Sequence, residues 1–147
     1  TLGGGSAGAV SAIATGISNL EDFRDEIDFK QDPTLLSTHL NESYNIKTII
    51  NLWGSKTGLD ILKTLYGHQR FDSKDPSMFI AHGVDDPTVP FQKAIEIKNI
   101  YNSYGLPLAF YPLEGYKHGA WNATVNGMRL ERLVYEFIVT EQKLILH

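Results

Sequence analysis

A chain of 147 residues, 42% hydrophobic and 20% charged, has an ordinary globular composition and the size of one domain, large enough to bury about two-thirds of its unfolded surface. A net charge of −4 with no run of Lys or Arg argues against nucleic acid or an anionic membrane as partner and leaves a small or neutral ligand. The absence of cysteine excludes disulfides, thiolate-bound metals and a cysteine nucleophile, and no apolar stretch reaches the ~18–20 residues of a membrane helix.

The first residues lack the basic and then apolar regions of a signal peptide, and a leader on a longer precursor stays compatible with the sequence. Asn41-Glu42-Ser43 and Asn122-Ala123-Thr124 match the glycosylation acceptor pattern, which carries meaning only in a secretory setting, so the compartment is left open.

The chain opens on Gly4-Gly5-Ser6-Ala7-Gly8, the G-x-S-x-G spacing of a turn that lifts a serine hydroxyl from a strand end onto a helix start. Side chains at the flanking glycines would collide with backbone in so tight a turn, and Thr1 and Leu2 read as the remainder of the strand feeding it. Val10, Ile13, Ala14 and Ile17 then recur at helical spacing, predicting a helix over 6–19. Glu21, Asp22, Asp25, Glu26 and Asp28 follow. They lack the D-x-D-x-D-G order of a calcium loop and read as the solvated part of a polar connection reaching Asn45.

Ile46 to Trp53, β-branched and stopped by Gly54, predicts a buried strand, and Leu59, Ile61, Leu62, Leu65 and Tyr66 a helix. Met78 to Ala81 predicts a second strand ending at His82-Gly83. Pro90 fits the first position of the next helix, whose buried stripe is Phe91, Ala94, Ile97, Tyr101 and Tyr104 and whose stop is Gly105. Leu108 to Pro112 predicts a further strand, and 124–146 a long amphipathic terminal helix. The alternation implies an α/β fold with a mostly parallel sheet between helical layers, its ligand site at the carboxyl ends of the strands.

Three such ends carry chemistry: Ser6, Asp85-Asp86 and His118. A serine hydroxyl needs an imidazole to take its proton and a carboxylate to orient that imidazole, and the chain offers them in the order Ser, Asp, His. One strand-helix-strand unit separates Asp86 from His118, so a crossover brings their loops together. A phosphate-cradling use of Gly3-Gly4-Gly5 fails because no Lys-Ser/Thr pair follows. His82 reads as a structural member of its loop; His39 and His68 sit in polar segments, and His147 ends the chain. Trp53 and Trp121, just beyond strand ends, read equally as walls of a substrate pocket or as core packing.

Gly4-Gly5-Ser6-Ala7-Gly8-Ala9, Asn51-Leu52-Trp53-Gly54, His82-Gly83-Val84-Asp85-Asp86-Pro87-Thr88-Val89-Pro90 and Gly115-Tyr116-Lys117-His118-Gly119 together resemble the α/β-hydrolase fold, in particular its esterase/lipase group. The resemblance covers nearly the whole chain but only the later part of a family catalytic domain. It implies carboxylic ester hydrolysis through an acyl-enzyme, without cofactor or metal, on a small-molecule ester. Ser6 would be the nucleophile, Asp86, preferred to Asp85 by the H-G-x-x-D spacing, the orienting acid, and His118 the base. The Ala7 N–H would be one oxyanion-hole donor.

A second donor, which the resemblance places in a glycine-rich loop after an earlier strand, is expected to be missing from this stretch. The expectation is therefore a partial hydrolase domain with an open sheet edge and exposed apolar surface, associating with an N-terminal part or with another copy. A non-catalytic hydrolase-fold binding module, or an inactive fragment, is the alternative.

Overall fold

The computed structural model describes every residue except 27, 29, 31, 40, 41, 146 and 147. Asn41 of the first acceptor triplet, the terminal His147 and Leu146 at the expected end of the last helix thus lie outside the described residues. The strands are β1 (Leu2–Gly5), β2 (Thr48–Leu52), β3 (Ser77–Gly83), β4 (Leu108–Leu113), β5 (Thr124–Val125) and β6 (Met128–Arg129). The helices are α1 (Ala7–Ile17), α2 (Leu20–Asp25), α3 (Thr57–Tyr66), α4 (Gln92–Tyr104) and α5 (Leu130–Gln142), with a 3-10 turn at Pro33–Ser37.

The first four strands form one parallel sheet in the order β1-β2-β3-β4. A sheet that advances one neighbour at a time places successive right-handed crossovers on the same face. Accordingly Ile13 and Ile17 of α1, Leu59 of α3, and Ala94, Ile97 and Tyr101 of α4 share one core with Ile49, Met78 and Ile80. The opposite face, carrying Ile50, Leu52, Phe79, Ala81 and Leu113, is covered by Leu130, Val134 and Phe137 of α5 and by Ala120 and Ala123. The result is the three-layer α/β/α arrangement. β2 is buried along its whole length, which is why it reads as a β-branched apolar run rather than an alternating one.

Gly5, Leu52, Ala81 and Tyr111 stand side by side in one row of the sheet. Whatever follows each of them emerges at the same edge. Among the described residues β1 pairs only with β2, and an apolar groove lined by Ile50, Leu52, Trp121, Leu130 and Val134 opens beside α5.

Several local expectations are corrected. The terminal helix does not begin at Thr124, because Asn126 and Gly127 both adopt positive φ, 52° and 78°, and close a two-residue hairpin between β5 and β6. Asn-Gly is the preferred pair for that turn, so α5 starts only at Leu130. Pro90 precedes α4 by two residues, and its carbonyl accepts the Lys93 N–H at 2.8 Å in a turn before the helix. The strand feeding Ser6 runs through the glycines to Gly5. Within the polar connection the Asp22 carboxylate accepts the Asn19 N–H at 2.8 Å and starts α2.

Candidate active site

Ser6 lies between the end of β1 and the first turn of α1, with φ 54° and ψ −121°. A non-glycine residue there carries strain of about 1–3 kcal/mol and is kept only where its surroundings over-determine it. Here the Ser6 N–H donates to Leu52 O at 2.9 Å, and its carbonyl accepts from Ala9 at 3.0 Å and Val10 at 3.1 Å. Gly4 is required, since a Cβ on it would fall 2.7 Å from the Gly8 carbonyl carbon. Gly8 is not required in the same sense: a Cβ there meets nothing within 4 Å, so its place in the turn is to be approached rather than to approach.

The hydroxyl oxygen of Ser6 lies 2.9 Å from His118 Nε2, and His118 Nδ1 lies 2.8 Å from Asp86 Oδ2. With Nδ1–H donating to the carboxylate, Nε2 is left as the acceptor for the serine proton. Asp86 Oδ1 accepts the N–H groups of Thr88 at 2.8 Å and Val89 at 3.0 Å. Burial works against the charge on Asp86, whose side chain is fully enclosed, but the donors from Val89, His118 and Thr88 outweigh it and hold the carboxyl below its ordinary range. Asp85, by contrast, is exposed.

The histidine loop reaches this carboxylate because Gly83 has no side chain. A Cβ at that position would sit 2.4 Å from Tyr116 O and 2.7 Å from Lys117 O. The approach is sealed by the Asp85 N–H donating to Tyr116 O at 3.1 Å. At the other end of the row Ala7 is exposed as the first residue of α1, so its N–H has no carbonyl partner within the helix.

The two tryptophans divide. Trp53 is 1% exposed and takes the positive φ of 44°, a marked outlier for a bulky side chain, with its N–H held by Ala81 O at 2.8 Å. Trp121 is 62% exposed and meets Trp53 edge to face, with centroids 4.7 Å apart. Trp53 therefore serves as packing beside His118, 6.5 Å between ring centroids, and only Trp121 has surface to offer a ligand. A Cβ on Gly5 would crowd both rings at 3.0 Å.

The backbone donors on Asp86 and the strain at Trp53 were not anticipated from sequence, since neither leaves a mark on side-chain identity. His39 is exposed, and His68 pairs with Asp22 at 3.0 Å. Among the described residues Asp22, Glu26 and His68 alone bring three metal-ligating atoms within 4.8 Å of one another. That cluster is an ion-pair network: buried Arg70 lies on Glu26 and donates to Ser18 Oγ at 2.6 Å.

No family model matches the chain, and no curated protein matches it. Solved structures do. The native form of the thermophilic esterase Est2 from Thermogutta terrifontis is 22% identical with a TM-score of 0.58, over 94% of this chain and 53% of its own. A truncated carbohydrate esterase from gut microbiota is 18% identical with a TM-score of 0.64, over 97% and 59% respectively. An acetyl ester-xyloside bifunctional hydrolase from Caldicellulosiruptor lactoaceticus is 17% identical with a TM-score of 0.65, over 94% and 55%. The chain thus spans little more than half the length of the structures it matches, and over that span it has the α/β-hydrolase fold of these esterases.

Proposed function

We propose that this chain carries the nucleophile, acid and base of a serine carboxylic ester hydrolase. The reading is supported above all by the continuous relay from Ser6 Oγ through His118 to the enclosed Asp86 carboxylate, set on a strained strand-to-helix turn. Solved relatives in fold that are esterases, including a Thermogutta terrifontis esterase 2 phosphorylated by paraoxon, add to it.

Ser6 Oγ attacks the ester carbonyl carbon as its proton passes to His118 Nε2. The oxyanion of the tetrahedral intermediate accepts the Ala7 N–H at the positive end of α1. His118 then delivers the proton to the departing alcohol oxygen, leaving an acyl group on Ser6. Water attacks that acyl carbon, its proton goes to His118, and collapse of the second intermediate returns a proton to Ser6 Oγ and releases the carboxylic acid. Asp86 remains ionised throughout and keeps His118 in the tautomer that presents a free Nε2. Trp121, exposed and close to Gly5, flanks the substrate.

A fluorophosphonate probe tests the reading when intact mass is recorded beside hydrolysis of p-nitrophenyl acetate and butyrate. Stoichiometric labelling and turnover, both abolished in Ser6→Ala, are expected. A protein neither labelled nor active would instead favour a non-catalytic hydrolase-fold module.

A further inference from the structure

His82, the last but one residue of β3, has a fully buried side chain, yet it is bound into the turn that holds the acid. Its Nε2 lies 2.8 Å from the carbonyl oxygen of Val89. Because a carbonyl only accepts, Nε2 must carry a hydrogen, and this fixes the tautomer. The same nitrogen lies 3.3 Å from Asp86 Oδ2, the oxygen that also receives His118. Val89 in turn gives its own N–H to Asp86 Oδ1. The contacts therefore close a ring: His82 to the Val89 carbonyl, the Val89 amide to one carboxylate oxygen, and the other carboxylate oxygen back to His82.

The opposite ring nitrogen, Nδ1, is buried with no partner among the described residues, and Phe91 lies against the imidazole with centroids 5.9 Å apart. An unpartnered buried nitrogen is a cost, and a second proton on Nδ1 would enlarge it. Packing alone would favour an apolar ring at this place. What a histidine adds is the Nε2–H, aimed at the acid turn.

We propose that His82 is a positioning residue for the reaction: through its neutral Nε2–H it clamps the 86–89 turn and shares the Asp86 Oδ2 charge with His118. This rests on the proposed esterase reading, with the surrounding geometry as its independent support. Burial lowers the affinity of His82 for a second proton despite the Val89 carbonyl and the Asp86 charge, so the clamp stays neutral while His118 takes up its proton. The groups facing His82 are Asp86 on its own loop, His118 from the loop after β4, and the Val89 carbonyl.

The test compares wild type with His82→Phe, which fills the space without an N–H, and His82→Gln, whose amide replaces the Nε2 donor. The rate of fluorophosphonate labelling and the chemical shift of the His118 Nδ1–H proton, read by NMR, are measured in each. Without the His82 donor, Asp86 Oδ2 gives its charge to His118 alone, so the Nδ1–H resonance moves downfield. The turn carrying the carboxylate is no longer clamped and presents His118 to Ser6 less precisely, so labelling slows about tenfold. His82→Gln restores most of both.

A His118 Nδ1–H resonance and a labelling rate equal to wild type in His82→Phe would overturn the proposal. So would a loss of active fraction alone, with the resonance unmoved and Gln no better than Phe. Should the Phe variant not fold, His82→Met removes the same N–H and repeats the comparison. If wild type itself is not labelled, the esterase reading fails, while the His118 Nδ1–H resonance still decides whether the clamp exists.

Discussion

Replacing Asp86 by Asn changes two atoms and little shape, and the hydrogen bonds around it dictate how the amide must sit. Oδ1 receives two backbone N–H groups, from Thr88 at 2.8 Å and Val89 at 3.0 Å, so the amide oxygen has to take that side. The amide NH2 is then forced into the place of Oδ2, 2.8 Å from His118 Nδ1 and 3.3 Å from the Nε2–H of His82. Facing a donor, His118 switches tautomer: Nδ1 becomes the acceptor and Nε2 carries the hydrogen, pointed at Ser6 Oγ, where it has no lone pair to accept the serine proton. In serine proteases the equivalent change costs about 10⁴-fold in kcat. That corresponds to about 5.4 kcal/mol of transition-state stabilisation. Steady-state hydrolysis of p-nitrophenyl acetate by Asp86→Asn should fall by that order, with Asp85→Asn, altering an exposed neighbour, as the comparison. A loss smaller than tenfold in Asp86→Asn, or an equal loss in both variants, would refute the tautomer argument.

Gly54→Ala should destabilise the fold by about 1–3 kcal/mol in urea titration, because the new Cβ would fall 2.4 Å from Ala9 Cβ and 2.8 Å from Asn51 Oδ1; an unchanged midpoint would show that α1 can yield there. Ser6→Gly should be more stable than Ser6→Ala by about 1 kcal/mol, since glycine accepts the φ of 54° without strain, and calorimetry that finds Ala equal or better would remove strain from the description of the turn. Asp75 provides a pH-dependent term. Burial first, and then the charge of Asp72, push its carboxyl up to about 7 against one N–H bond from Asp72. The folded state thus binds this proton more tightly than the unfolded chain, so its contribution favours the fold below about 4 and is lost as pH rises through about 7. Asp75→Asn keeps an acceptor for the Asp72 N–H and should flatten that slope, measured as urea midpoints at pH 5 and pH 8; parallel profiles would contradict it.

The architecture was legible because apolar runs such as Ile46–Trp53 and Met78–Ala81 are too short and too β-branched for helices and alternate with helical stripes. A parallel sheet with helices on both faces is what such alternation can build. The order Ser, Asp, His and the crossover between the last two point to Ser6, Asp86 and His118, and His118 lies within hydrogen-bond distance of both others. The choice of Asp86 over Asp85 followed motif spacing, and the contacts explain the difference physically: one carboxylate is enclosed by donors and the other is exposed. The errors came from two-residue signals overridden by longer patterns. Val125, Met128, Leu133 and Phe137 suggested a continuous helix, but Asn126-Gly127 prefers positive φ twice over and folds back first. The Asn19–Asp22 cap was hidden in an acidic run that reads as loop.

Side-chain identity names the chemistry of such a site, but the placement comes from backbone. Ser6 and Trp53 follow adjacent positions of the sheet, Gly5 and Leu52, and both leave it at positive φ. Each strained residue is anchored to the next strand in the row, Ser6 N–H to Leu52 O and Trp53 N–H to Ala81 O. Ser6 is thus held by a chain of hydrogen bonds running across three strands, with no dependence on a loop. His118 has the reverse support: it sits on a loop between Gly115 and Gly119, both at positive φ, and its distance from Ser6 is set by the passage of residues 116–117 over Gly83. Ser6, the proposed nucleophile, is therefore fixed by the sheet and faces a proposed base, His118, whose position depends on one small contact at β3. The part of the relay open to tuning is the loop side, where Gly83, His82 and the turn around Asp86 decide how closely the imidazole meets the serine.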